Sequence, residues 1–456
     1  MQTDDLLVKS LLELCQRIKE YVITGLQRQE LEFNMEIETT EEVEDFSYSR
    51  VGITSGPIRG ENTWVLKWDE AIQKVLPSVK KSDEYSKCFK LISDNFTVKQ
   101  SVDWVLERFC RAISEVTFEN QNNSVTKLYK EKTQLFVNDL KQSPIFSIIK
   151  VELLGIVLES HHVQLSDEYL LRQTTKGDVN RKYRYVLPRS PYPLIFPTAI
   201  LEISIWSIPE EENDIHVRIL RIICLLRLFC SGGIALACYT SKSNSIYRFA
   251  TMGIISPNGH ILPPFKTHFL TKNSNLRLKQ FFSDFPMPED VYSYKIKDTP
   301  IAISFERYTE AIDHGIFEKR ITYAAMGLEA LFIDENTEIS YRLRMRVAKL
   351  MCYFNLEFAF VKKVINESYL IRSKYSHGGI LSNKDKKRIK REFGEDALLL
   401  TNLLEILRIS LVVFIFIDQS KIKFIESLEE AMIMKTKEIE LSKGLRHVRK
   451  YIKVES

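Results

Sequence analysis

Towards the end of the chain, "YLIRSKYSHGG" places Arg372 and His377 with four residues between them, Ser373 the first of these, and a Gly pair directly behind. These types suit cleavage of a phosphodiester. RNA can be cut without a metal when its own 2′-hydroxyl attacks the neighbouring phosphorus, which leaves the protein to move protons and to stabilise charge on phosphate oxygens. A histidine, which titrates near neutrality, suits the first task. An arginine, always charged and shaped to bind two phosphate oxygens, suits the second.

Successive residues in an α-helix turn by about 100°, so residues five apart diverge by about 140° around the axis. Arg372 and His377 therefore share no helix face. Gly378 offers the resolution, because Gly commonly follows a helix end in the left-handed conformation; His377 is then expected at the terminus, where its ring can swing back towards the guanidinium. The structural alternative is a histidine that complements the helix dipole. With eight histidines in the chain, an arginine four to six residues before a histidine arises by accident about once. Arg307 and His314 in "RYTEAIDH" also fit, and with no Gly stop behind them they read as coincidence.

The elements that must position this stretch are helical. From about residue 305 to the end the sequence reads as helices joined by short loops, the pattern of an antiparallel bundle. Ile321, Ala324, Ala325, Leu328, Leu331 and Phe332 form one apolar helix face. Ser340 is read as the cap of a second helix carrying Leu343, Val347 and Leu350, and a third helix from about Leu356 turns Val361, Val364, Ile365 and Tyr369 inward before the Arg372 motif. A fourth is read from Ser382 onwards, with Ala397, Leu400, Leu404 and Leu407 inward, and a fifth over "KFIESLEEAMIMKTKEIELSK".

Upstream, residues 1–30 read as an amphipathic helix, and 33–68 as a few strands joined by loops. "ERFCRAISEVTF" and "VTKLYKEKTQLFVNDLKQ" have helical spacing, and a strand pair is expected after Phe146. "LPRSPYPLIFP" reads as a loop, "IHVRILRIICLLRLF" as a buried helix, and strands or loops are expected from there to about residue 300. The expected class is α+β: a mixed α/β N-terminal region (1–145, then 146–300, possible as one unit with the first), an all-α bundle over 301–445, and a basic tail over 446–456.

Composition sets wide bounds. The chain has 456 residues, 45% of them hydrophobic, with a formal net charge of +4, so any basic surface must be local. Its seven cysteines show no CxxC pair or zinc-finger spacing, which suits a reducing cytoplasm. The N-terminus lacks the pattern of a signal peptide, and the apolar runs at 219–239 and 409–417 are broken or short, so no membrane segment is expected.

The ordered set "AAMGLEALF", "EISYRLRMRVAKLM" and "YLIRSKYSHGG" resembles the Apea-like branch of the HEPN superfamily (higher eukaryotes and prokaryotes nucleotide-binding) over about residues 305–420. The resemblance implies a HEPN helical bundle that homodimerises, facing two Arg/His motifs across a metal-independent endoribonuclease site. It implies further that Arg372 holds the phosphate, His377 acts as acid or base, and Ser373 orients the pair, with Glu329, Arg346 and Tyr369 as supporting positions. For Glu329 and Arg346 an ordinary buried ion pair between helices is the competing reading. Gly379 stands where HEPN toxins that pair with a nucleotidyltransferase antitoxin often carry a Tyr.

After the motif, "SNKDKKRIKRE" gathers Lys384, Lys386, Lys387, Arg388, Lys390 and Arg391 at a helix start, where basic residues oppose the helix dipole. A passing phosphate backbone would reverse that penalty, and with Lys374 these residues are the expected RNA contacts; a solvated charged face is the plainer reading. "ESHHVQLSD" puts His161 and His162 on opposite faces of a strand, which argues against a metal site. HExxH, GxSxG and GxxxxGK are all absent, so no cofactor or metal is expected. The expected protein is a cytoplasmic effector ribonuclease in prokaryotic defence or a toxin system. RNA, a second copy of the chain, and a trigger or regulatory partner acting on the first 300 residues are its expected partners. A non-catalytic dimerisation, RNA-binding or partner-interaction protein is the alternative.

Overall fold

The computed structural model describes residues 3–27, 35–43, 46–49, 52–55, 58–66, 68–98, 100–120, 125–179, 197–207, 215–229, 233–246, 252–253, 267–286, 299–335, 337–417 and 419–452. The proline cluster read as a loop lies, over 187–196, outside them. Among the described residues the fold is mixed: helices and a sheet in the first part, helices alone after residue 299.

The N-terminal part is a layer of five helices. Helix α1 (Thr3–Gln27) buries Leu7, Leu11, Leu14, Ile18 and Val22, a stripe at helical spacing, against α2 (Trp68–Lys80), α3 (Asp83–Asn95), α4 (Val102–Glu119) and α5 (Thr126–Leu140). Between α1 and α2 lie β1 (Met35–Val43) and β4 (Ile58–Leu66), paired antiparallel, with β2 (Phe46–Ser49) and β3 (Gly52–Ser55) as a hairpin between them. The sequence reading drew no helix over α2 and α3. Ser82, whose hydroxyl accepts the Tyr85 N–H at 3.2 Å ahead of Asp83 and Glu84, was the available signal for α3.

The middle part is a six-stranded antiparallel sheet in the order β11-β10-β5-β9-β8-β7. Its strands are β5 (Ile145–Leu154), β7 (His162–Gln164), β8 (Tyr169–Gln173), β9 (Ala199–Ser207), β10 (Ala235–Ser243) and β11 (Met252–Gly253), while β6 (Ile156–Leu158) pairs in parallel with β12 (His268–Leu270). Along β5 the alternation Ile145, Ser147, Ile149, Val151, Leu153 is buried, as a sheet packed on one face requires. Helix α6 (Ile215–Phe229) is the buried helix read from its sequence. Helix α7 (Lys272–Asp284) corrects the expectation of strands or loops. It buries only Leu278 and Phe281, too short a stripe to stand out as periodic.

The bundle comprises α8 (Pro300–Asp313), α9 (Phe317–Phe332), α10 (Ile339–Cys352), α11 (Phe358–Ser376), α12 (Asn383–Phe393), α13 (Asp396–Phe416), α14 (Lys421–Ile433), α15 (Lys435–Gly444) and α16 (Arg446–Arg449). The apolar faces read for α9 and α10 are buried as expected. Gly327 lets α9 approach its neighbours, since a Cβ there would lie 3.0 Å from the Leu407 side chain and 3.3 Å from the Ser304 carbonyl.

Three readings need correction. The fourth helix is two, α12 and α13, broken at Gly394 (φ 82°), and Ala397 is exposed. Ser340 lies inside α10, which starts after Glu338 in the left-handed region (φ 49°). The fifth helix divides at Met434.

Helix α13 is longer than the apolar run read from the sequence and is, by length and composition, able to cross a membrane; 72% of that window is buried inside the fold. It is the bundle's core helix, and its side chains share one continuous hydrophobic core with the sheet, α6 and α7. The chain's basic end joins that core too, with Tyr451 stacked on Phe416 at 5.0 Å between ring centroids.

Candidate functional site

Helix α11 ends as its sequence dictates. His377 is the C-cap, Gly378 takes φ +72°, and the Gly378 N–H donates to the Tyr375 carbonyl at 3.0 Å while the Gly379 N–H donates to the Lys374 carbonyl at 2.8 Å. This pair of bonds is a Schellman motif, which satisfies carbonyls that a helix end leaves orphaned. It stops the helix abruptly and leaves the His377 side chain exposed.

Arg372 sits one turn earlier. Its guanidinium donates from Nη2 to Glu329 Oε2 at 2.9 Å, linking α11 to α9, and it stacks over the Tyr369 ring at 5.5 Å. Glu329 and Tyr369 therefore both meet Arg372. Burial pushes the Glu329 carboxyl up from its ordinary range, and the Arg372 charge offsets this only in part. Two atoms of this pair, Glu329 Oε1 and Arg372 Nε, are buried without a hydrogen-bond partner. Ser373 is half-buried beside Arg372, and its carbonyl accepts the His377 N–H at 3.2 Å. Among the described residues His377 and Arg372 do not bond each other; the swing of the ring towards the guanidinium is not made within one copy.

Arg346 lies elsewhere. It is buried, donating Nη1 to Asp334 Oδ1 and to the Phe332 carbonyl, each at 2.6 Å, and Nε to Glu429 Oε1 at 2.8 Å. It clamps the end of α9 to α10 and α14. Glu329 and Arg346 thus belong to separate ion pairs, not to one shared pair, and Arg346 does not join the Arg372 group.

The basic cluster divides in two. Lys374 is bound to Asp385, and Arg388 donates Nε to the buried Glu367 at 3.0 Å and lies 3.4 Å from Asp385, so both have structural partners. Asp385 also forms a capping box with Ser382 at the start of α12. The Lys374 ammonium, together with the Ser382 hydroxyl, holds the Asp385 carboxyl far below the usual carboxylate range. Lys384, Lys386, Lys387, Lys390 and Arg391 are exposed along α12, directly after the motif. The Ser382-x-x-Asp385 spacing signalled this junction in the sequence; Glu367, buried mid-helix, gave no such signal.

The second Arg/His pair has ordinary duties. His314 caps α8 and its Nδ1 accepts the Ile316 N–H at 3.0 Å, while Arg307 bonds Glu310 at 2.5 Å. His161 meets Gln173 at 3.2 Å on the sheet edge.

No family model, curated protein or solved structure matches this chain.

Proposed function

We propose that the chain is a HEPN-type endoribonuclease, acting as a homodimer that cuts RNA without a metal and leaves a 2′,3′-cyclic phosphate. The observation that carries this reading is the Schellman end of α11, which exposes His377 one turn beyond a stacked, half-buried Arg372. The imidazole is free to accept the 2′-hydroxyl proton or to protonate the leaving 5′-oxygen. The guanidinium is set to bind the phosphate as charge builds on its oxygens.

The surroundings support both partners. The exposed bases of α12 give the RNA backbone a neutralising track beside the motif. Ile380, 89% exposed directly after the Gly pair, and Leu370 on α11 supply apolar surface on which a second copy can close. A second Arg/His motif brought in this way supplies the proximity that one copy lacks. The N-terminal helices and the sheet serve as the sensing or restraining part of a cytoplasmic effector, in prokaryotic defence or a toxin system.

A non-catalytic reading, in which the bundle binds RNA or a partner, is favoured by one observation: Arg372 is already held by a carboxylate. Incubation of the purified protein with total RNA in EDTA separates the two. Cyclic-phosphate ends that disappear in Arg372→Gln and His377→Ala variants support the nuclease; RNA retention without new ends, with toxicity on expression unchanged by either variant, refutes it.

A further inference from the structure

Three arginine–carboxylate pairs in this chain join two nitrogens to both carboxylate oxygens. Arg227 donates to Asp313 from both terminal nitrogens at 3.1 and 2.5 Å, Arg172 does the same to Asp178 at 2.6 and 3.0 Å, and Arg408 reaches both oxygens of Glu405 at 2.7 and 2.5 Å. The Arg372–Glu329 pair is different. It rests on the single Nη2–Oε2 bond, and the atoms that would complete a second one, Nε and Oε1, are both buried and unpartnered. A two-point pair is much the stronger, and each buried polar atom left unpaired costs free energy. The Arg372–Glu329 bond is therefore weaker than these three pairs.

Its position gives the weakness a use. Arg372 keeps 29% of its side chain exposed, whereas Arg227 and Arg408 are almost wholly enclosed. Glu329 holds the same guanidinium that a phosphate would take, and a carboxylate left in place beside a bound phosphate would repel it. Burial already raises the free energy of the charged carboxylate.

We propose that Glu329 is a built-in competitor for the phosphate: its carboxylate latches Arg372 in the RNA-free protein and is displaced when a phosphodiester enters. This rests on the nuclease reading of the same site and adds its regulation. The latch keeps an unoccupied site quiet, and a trigger that shifts α9 against α11 would open it. An orienting carboxylate, by contrast, would aid phosphate binding.

The two roles predict opposite signs. Full-length wild type, Glu329→Gln, Glu329→Asp, His377→Ala and the Glu329→Gln/Arg372→Gln double variant are compared for binding of a fluorescent oligouridylate and for its cleavage in EDTA. Glu329→Gln is expected to bind at least about fivefold more tightly and to cleave faster, and the gain should vanish in the double variant. Glu329→Asp keeps the charge on a shorter arm and should show a smaller gain, which also serves if the Gln variant folds poorly. Unchanged or weaker binding in a folded Glu329 variant overturns the latch, and loss of cleavage in His377→Ala then leaves the nuclease reading standing. If His377→Ala cleaves like wild type but Glu329→Gln gains RNA affinity through Arg372, the nuclease reading fails and the latch survives on an anion-binding site.

Discussion

Arg408, in the middle of the bundle's most apolar helix, donates Nη1 to the main-chain carbonyl of Leu228 at 2.5 Å, across 180 residues of sequence. The last carbonyls of α6 have no partner within their own helix, and a cation at a helix C-terminus is favoured by the dipole. The grip is doubled from the other side, since Tyr308 donates its hydroxyl to the Arg227 carbonyl at 3.0 Å and Arg227 pairs with Asp313. Helix α6 and the bundle are thereby fastened through polar bonds within a shared hydrophobic core.

Arg408→Met should accordingly destabilise the protein by about 3–5 kcal/mol, because Glu405 is left charged and unpaired in a dry setting. Arg408 is only 1% exposed, so water offers little relief. Urea unfolding followed by circular dichroism measures the loss. An Arg408→Met/Glu405→Leu variant removes both charges and should recover a large part of it.

Gly378→Ala tests the helix end. Nothing lies within 4 Å of a Cβ built there, so the cost is purely that of φ +72° in a residue with a side chain, about 1–2 kcal/mol. The same change redirects the chain at His377. On the nuclease reading, RNA cleavage should fall by more than the loss of folded protein explains, and Gly378→Asn, which tolerates the left-handed region better, should be milder on both counts.

The α12 bases should separate by partner. Replacing Lys384, Lys387, Lys390 and Arg391 with Ala should weaken RNA binding across sequences and flatten its dependence on log salt by about 0.7 for each phosphate of a single strand that is no longer neutralised. Thermal stability should barely move, because these side chains are exposed. Arg388→Ala should do the reverse, because it strands the buried Glu367. Filter binding over a salt series and thermal melts decide between the patterns.

What the sequence made legible follows from range. Apolar periodicity is local, so the faces of α1, α9, α10 and α11 could be read directly, and so could the Gly378 stop, whose whole geometry lies within a few residues. The break at Gly394 was hidden because apolar residues on both sides continue a helical rhythm across it. Partners were not legible. Arg346 finds Asp334 and Glu429, 12 and 83 residues away, and Arg372 finds Glu329 43 residues away; spacing within one segment says nothing about which carboxylate a folded chain brings to which arginine. That is why Glu329 and Arg346, both read from helix motifs, could be named and yet wrongly considered as one pair.

Asp178 carries a prediction about acid stability. Burial alone would raise its carboxyl pKa, but two hydrogen bonds from Arg172 and those from Thr175 outweigh this and leave it at about 2. A carboxylate depressed in the folded state binds its proton more readily when unfolded, so its contribution is complete above the unfolded value near 4 and is lost as pH falls towards about 2. The side chain is only 5% exposed, so screening takes little away, and the shift corresponds to about 2 kcal/mol. Wild-type unfolding free energy should decline between about pH 4.5 and pH 2 with this group as one component. Asp178→Asn should lose stability at pH 7 and show a shallower decline in the acid range. Equal acid slopes in the two proteins would show that the Arg172 pairing adds nothing in solution, and that the edge of the sheet is held by its strands alone.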